Sequence, residues 1–119
     1  MSESEKPCYV EFPAKNIPAT KAFFVDVFGW SFQDFGPDYS AFTGQGIHGG
    51  FYKSALRSST ANGAALIVIY SADLEATLGK IEGAGGTVVK AIFSFPGGRR
   101  FHFAEPSGNE LAVWSDKGG

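Results

Sequence analysis

The chain repeats itself. Its first half contains CYVEFPAKNIPATKAFFVDVFGWSF and its second AALIVIYSADLEATLGKIEGAGGTVV. Offsetting one against the other by about 57 residues sets Asn16 on Asp73, Ala19 on Ala76, Thr20 on Thr77 and Gly29 on Gly86. Each copy reads strand, cap, helix, glycine, strand. One copy covers only part of its own sheet, so two copies must share a core. At 119 residues the chain has room for that one core and no second domain.

Local signals agree within each copy. Tyr9 to Phe12 and Leu66 to Tyr70 are β-branched and aromatic runs bounded by turn formers. Asn16 and Asp73 are N-caps, and Pro18 sits early in the first helix, where its missing N–H does little harm. The first helix presents Ile17, Ala22, Phe23, Val27 and Phe28 on an apolar face; the second presents Leu74, Thr77, Leu78 and Ile81. Gly29 and Gly86 stop them. Three shorter strands follow each helix, near residues 30–35, 39–43 and 47–52, then near 87–93, 100–104 and 110–115. The expected fold class is α+β, built from two βαβββ repeats. Repeat one spans about 8–53, the polar stretch 54–63 is a linker, and repeat two spans about 64–116. Together they form a single domain, 8–116, behind a flexible tail at 1–7. FPGGRR reads as a hairpin connection, because it lacks the strand-to-helix setting of a phosphate cradle.

Composition narrows the function. A net charge of −2 offers no basic stripe for nucleic acid and no polybasic segment for a membrane surface. No apolar run approaches the roughly 18 residues that cross a bilayer, and MSESEKP is neither a signal nor a transit peptide. Cys8 stands alone, which fits a cytoplasmic location and a small buried residue. The 12 phenylalanines mean either a dense core or an aromatic-lined pocket.

The duplicated unit, the GGFY strand and the closing AEPSGNELAVW together resemble the vicinal-oxygen-chelate superfamily. That group includes glyoxalase I, extradiol dioxygenases, methylmalonyl-CoA epimerase, and bleomycin- and fosfomycin-resistance proteins. The resemblance implies an eight-stranded, strongly curved mixed sheet with two helices on its convex side. It also implies a concave ligand cavity and a homodimer. Metal-using members hold a divalent ion with one side chain on the first and one on the last strand of each unit. Those positions are Tyr9, Gly50, Leu66 and Ala112 in this chain. Leucine, glycine and alanine carry no lone pair, and a neutral phenol is a poor ligand at neutral pH. No metal and no other cofactor is therefore expected there.

Strand alternation extends the same placement. With Tyr9 facing the cavity, Glu11 and Pro13 face it too, while Cys8, Val10 and Phe12 pack under the helices. His48, Gly50 and Tyr52 join them from the matched strand; repeat two adds Leu66, Val68, Tyr70, Glu110, Ala112 and Trp114. A tight turn centred on Pro106 and Ser107 sets Phe103 opposite Glu110 and Phe101 opposite Ala112. Both phenylalanines then wall the pocket, and His102 falls on the helix side as a structural histidine. The candidate ligand-binding residues are Tyr9, Tyr52, Leu66, Val68, Phe101, Phe103, Ala112 and Trp114. Glu11, His48 and Glu110, each two residues from a vacated metal position, are the candidate catalytic residues. Two readings of this trio stand side by side. It forms an acid–base group or displaced metal site, or its carboxylates sit at strand edges and pair with Lys15, Arg99 or Arg100.

Three functions follow from these readings. The first is a metal-free, glyoxalase- or bleomycin-resistance-like protein that binds a small, partly apolar or aromatic molecule. The second is a lyase or isomerase working through Glu11, His48 and Glu110. The third is a non-catalytic interaction module.

Overall fold

Both helices begin at a side-chain cap. The Asn16 carboxamide accepts from the Ala19 N–H at 3.1 Å, and the Asp73 carboxylate accepts from that of Ala76 at 3.1 Å. Each cap satisfies one orphan donor of a first helical turn. In the computed structural model, which describes residues 4–43 and 46–117, β1 (Tyr9–Ala14) leads into α1 (Ile17–Phe28). Then come β2 (Ser31–Asp34), β3 (Tyr39–Thr43) and β4 (His48–Lys53). The order recurs as β5 (Val68–Tyr70), α2 (Leu74–Gly83), β6 (Thr87–Phe95), β7 (Gly98–Ala104) and β8 (Glu110–Ser115). This is the expected βαβββ duplication. Residues 1–3, part of the expected tail, lie outside the described residues. Among the described residues no helix is long and apolar enough to cross a membrane.

Hydrogen bonding divides the strands into two four-stranded mixed sheets, ordered β1-β4-β3-β2 and β5-β8-β7-β6. In each, the first and last strands of the repeat pair in parallel and the remaining pairs are antiparallel. Side chains therefore alternate between a helix-covered face and an opposite face.

The helix-covered faces share the core. α1 turns Ile17, Thr20, Phe23, Phe24 and Val27 inward. Ala22, expected on that face, is exposed, and Phe24 takes its place. Phe24 stacks on Trp30 at 4.4 Å and on Phe51 at 5.6 Å between ring centres, and Phe23 reaches Phe103 of repeat two at 5.8 Å. Burying one such ring is worth about 2–3 kcal/mol. Cys8 lies outside this core and is exposed, one residue ahead of β1, because inward packing begins only at Val10. α2 ends earlier than expected, with Ala84 as its cap and Gly85 at φ 94°. Gly86 is small for another reason: a Cβ there would lie 2.6 Å from Ile81 and 2.8 Å from the Phe23 ring.

A buried polar network ties the repeats together. Asn109 Nδ2 donates to the Pro13 carbonyl of β1 at 2.7 Å and to Glu105 Oε2 at 2.6 Å, and its Oδ1 accepts from the Ser58 N–H at 2.8 Å. Glu105 Oε1 accepts from Thr20 Oγ1 of α1 at 2.7 Å and from the Ser107 N–H at 2.8 Å. Burial pushes the Glu105 carboxyl up, and these donors offset only part of that. Asn109→Ala leaves the Pro13 carbonyl and Glu105 short of a donor and is expected to lose about 2–3 kcal/mol in urea denaturation. Asn109→Asp sets a second acid against Glu105. Its loss is expected to shrink as pH falls and the pair takes up a proton.

Candidate functional site

The loop carrying Asn109 also decides which side chains face the ligand side. The Gly108 N–H closes on the Glu105 carbonyl at 2.7 Å, around Pro106 and Ser107 as expected. Gly108 then takes φ 94°, and the Glu105 N–H bonds the Asn109 carbonyl at 2.9 Å. The connection is thus a turn plus a left-handed glycine, one residue longer than the expected tight turn. A one-residue slip exchanges the faces of the partner strand. Phe101 consequently pairs with Val113 and Phe103 with Leu111, all fully buried under the helices. Neither phenylalanine is a wall of the opposite face, and His102, expected beneath a helix, stands on that face with Glu110, Ala112 and Trp114.

Two rungs cross the whole of this sheet: Phe93–Arg100–Trp114–Tyr70 and Lys90–His102–Ala112–Val68. Beside them His102 Nδ1 lies 2.7 Å from Glu110 Oε2, and both side chains are buried. Glu110 Oε1 accepts from the Thr60 N–H at 2.8 Å and from Thr60 Oγ1 at 2.9 Å, so the segment linking the repeats covers the pair. Burial pushes the Glu110 carboxyl up, but hydrogen bonds from His102 and from both Thr60 donors outweigh it and hold it below the ordinary glutamate range. His102 Nε2 is enclosed and has no partner among the described residues. The arginines proposed as partners for Glu110 are engaged elsewhere. Arg99 bridges to Glu75 at 2.7 Å, and Arg100 packs on aromatic rings.

In repeat one the same face carries Tyr9, Glu11, Gly50 and Tyr52. Tyr39 OH donates to Glu11 Oε2 at 3.0 Å and lies 2.6 Å from Tyr9 OH. Desolvation, reinforced by these two neighbours, pushes the Tyr39 phenol well above the ordinary tyrosine range. A Cβ at Gly50 would collide with that phenol, so Tyr39 fills the space a ligating side chain from position 50 needs. His48 is exposed at the start of β4, opposite Tyr9. Leu66 is half-buried ahead of β5, and Ala112 is fully buried. Among the described residues no three His, Cys, Asp or Glu side chains form a group able to hold a metal ion. Glu11, His48 and Glu110 thus make no displaced metal site. The four positions at which the family holds its ion do not fit one: the single donor, Tyr9, is bonded to Tyr39, and the other three carry none.

Two hollows flank β1. One of about 490 Å³ lies between β1 and β5, lined by Val10, Phe12, Trp30, Ile67, Val68 and Tyr70 among others. The other, about 540 Å³, lies between β1 and the linking segment, against Glu11, Pro13, Tyr52, Arg57, Asn62 and Ala64 among others. Both fall within the roughly 300–1,000 Å³ typical of small-molecule sites. Reasoning from the sequence missed Tyr39, Thr60 and the placement of His102. Gly108 following Pro106 and Ser107 was the available signal for the last.

Paired βαβββ units with aromatic sheet faces beside a hollow between their first strands define a glyoxalase-type fold. The profile of the Glyoxalase/Bleomycin resistance protein/Dioxygenase superfamily matches residues 8–113, and the chain belongs to this family. Among solved structures it is similar to a glyoxalase-related enzyme from Fulvimarina pelagi, with TM-score 0.77, 13% identity, and 93% of this chain and 88% of that one covered. It is similar to a glyoxalase/bleomycin resistance protein/dioxygenase family enzyme from Burkholderia phytofirmans PsJN, with TM-score 0.75, 16% identity, and 92% and 97% covered. A lactoylglutathione lyase from Agrobacterium tumefaciens gives TM-score 0.70, 17% identity, and 96% of each chain covered. At these identities the likeness is one of fold. No protein of curated function matches the chain.

Because the folded-state pKa of Glu110 is depressed, its contribution to stability is present above the unfolded value of 4.5 and fades as pH falls through the folded value. Glu110→Gln is therefore expected to be less stable than the parent near neutral pH. Urea melts across an acid pH series should show the gap closing as pH falls below 4.5.

Proposed function

We propose that the protein binds a small molecule with a flat, apolar or aromatic body, in the seam between the repeats and on the sheet face beside it. It does so without the divalent ion held by metal-using relatives. The observation that carries this reading is the gathering of large apolar side chains left in water at one place. Val68 is 42% exposed and Tyr70 48%, and both line the seam hollow. Trp114 meets Tyr70 edge to face at 5.2 Å, forming an aromatic corner for a planar ring. Tyr52 lines the neighbouring hollow along β1, and Ala112, fully buried, lies beneath the surface a ligand would touch. The same reading has the protein working in the cytoplasm as a homodimer. The lone Cys8 supports the first and the family resemblance the second.

The neutral fluorophore N-phenyl-1-naphthylamine tests the reading. Saturable binding is expected, unchanged in EDTA, and weakened about 5- to 10-fold in Trp114→Ala by loss of one aromatic contact. Absence of saturable binding by this and other flat apolar probes overturns it.

A second reading, proton transfer, is favoured by the enclosed His102–Glu110 pair. A carboxylate at Nδ1 fixes the imidazole tautomer and leaves Nε2 as the basic nitrogen. Of the expected trio it keeps only Glu110. A screen of lyase and isomerase substrates decides it: turnover lost in His102→Asn supports it, and no turnover in the parent protein overturns it.

A further inference from the structure

The aromatic face of repeat two is charged. Arg99 and Lys21 are spent on carboxylates, at 2.7 Å from Glu75 and 2.8 Å from Asp34. Lys90 and Arg100 have no carboxylate partner among the described residues. Both instead pack on one ring. Lys90 Nζ lies 4.6 Å from the centre of Phe93, and the Arg100 guanidinium lies 5.3 Å from Phe93 and 5.7 Å from Phe95. The β6 ladder shifts register on either side of Lys90, which turns Lys90 and Phe93, three residues apart, to the same face.

Rings attract each cation but do not neutralise it, and two like charges on one ring repel. Arg100 Nε is enclosed and unpartnered. The acids on this face are already engaged: Glu110 by His102 and Thr60, and Asp116 by the Tyr70 hydroxyl at 2.7 Å. A guanidinium fork and an ammonium gathered on one ring without a counter-charge suit an oxyanion. Their rung continues from Arg100 to Trp114 and Tyr70, the aromatic corner described above.

We propose that Lys90 and Arg100 bind the anionic group of the ligand, a carboxylate or phosphate carried on an aromatic or conjugated body that lies against Trp114 and Tyr70. This rests on the binding function proposed above and adds the charge of the ligand. Full-length protein is titrated calorimetrically with 2-naphthoate, 2-naphthyl phosphate and the neutral methyl 2-naphthoate. The parent protein is expected to prefer one or both anions over the ester by about tenfold or more, with the preference falling as salt is added. In the Lys90→Gln/Arg100→Gln double variant the anion-to-ester ratio is expected to fall to about one, while Arg100→Lys, which keeps the charge and loses the fork, keeps part of it. Preference for naphthoate or for the phosphate identifies the oxyanion. Equal binding of ester and anions to the parent protein, or a preference that survives in the double variant, overturns this assignment and leaves the binding function standing. If none of the three binds, both fall.

Discussion

One buried carboxamide governs how the two halves of this protein sit together. The sheets share no hydrogen-bonded ladder, so apolar packing and the network around Asn109 join them. Apolar burial is non-directional and tolerates sliding, whereas bonds of 2.6–2.8 Å from a fully buried side chain do not. Asn109 reaches β1, the linking segment and Glu105 at once, and Glu105 reaches Thr20 on α1. The relative position of the repeats follows from those contacts, and with it the hollow between β1 and β5. Burying a glutamate is unfavourable in itself. Surrounding it with donors from both repeats makes their docked arrangement distinct from any slipped one.

The same loop connects that constraint to the ligand face. Asn109 can reach β1 while Glu110 enters β8 because Gly108, at φ 94°, adds one residue to the turn. That residue sends Phe101 and Phe103 to the core and brings His102 to Glu110. Much was legible beforehand. The duplication, both N-caps, the succession of helices and strands along the chain and the alternation along β8 all rest on local signals spanning several residues. The pairing of β7 with β8 rests on one glycine, and a two-residue turn fits the same letters. Tyr39 escaped for another reason: its side chain fills the space over Gly50, which is a neighbour only through the β3–β4 ladder. Thr60 lies in a segment with no periodicity to reveal what it covers.

The four family metal positions, three of which carry no donor side chain, also differ in their surroundings. The repeats correspond rung for rung: Glu11 opposite Gly50 matches Val68 opposite Ala112. A symmetric four-donor site needs side chains from both rungs. In repeat one the Tyr39 phenol occupies that space, and in repeat two Ala112 is fully buried. Restoring donors at positions 50 and 112 would therefore collide with Tyr39 in one repeat and overpack the other.

The two faces are chemically unlike. Repeat one consumes its carboxylate internally, with Glu11 taking the Tyr39 hydrogen and Tyr9 completing the chain. Repeat two buries its acid against His102 and leaves two cations on phenylalanine rings. Between them lies an apolar seam lined by Val68 and Tyr70. The hydroxyls and the acid of repeat one stand to one side of it and the cations of repeat two to the other. An anionic end of the proposed ligand turned toward Arg100 would gain a counter-charge, and the same end turned toward Glu11 would meet a like charge. Binding of one flat body in two orientations is what an all-apolar seam would allow. For the proposed ligand the charges would distinguish those orientations, so the polarity of the face would narrow its identity more than the volume of the hollow does.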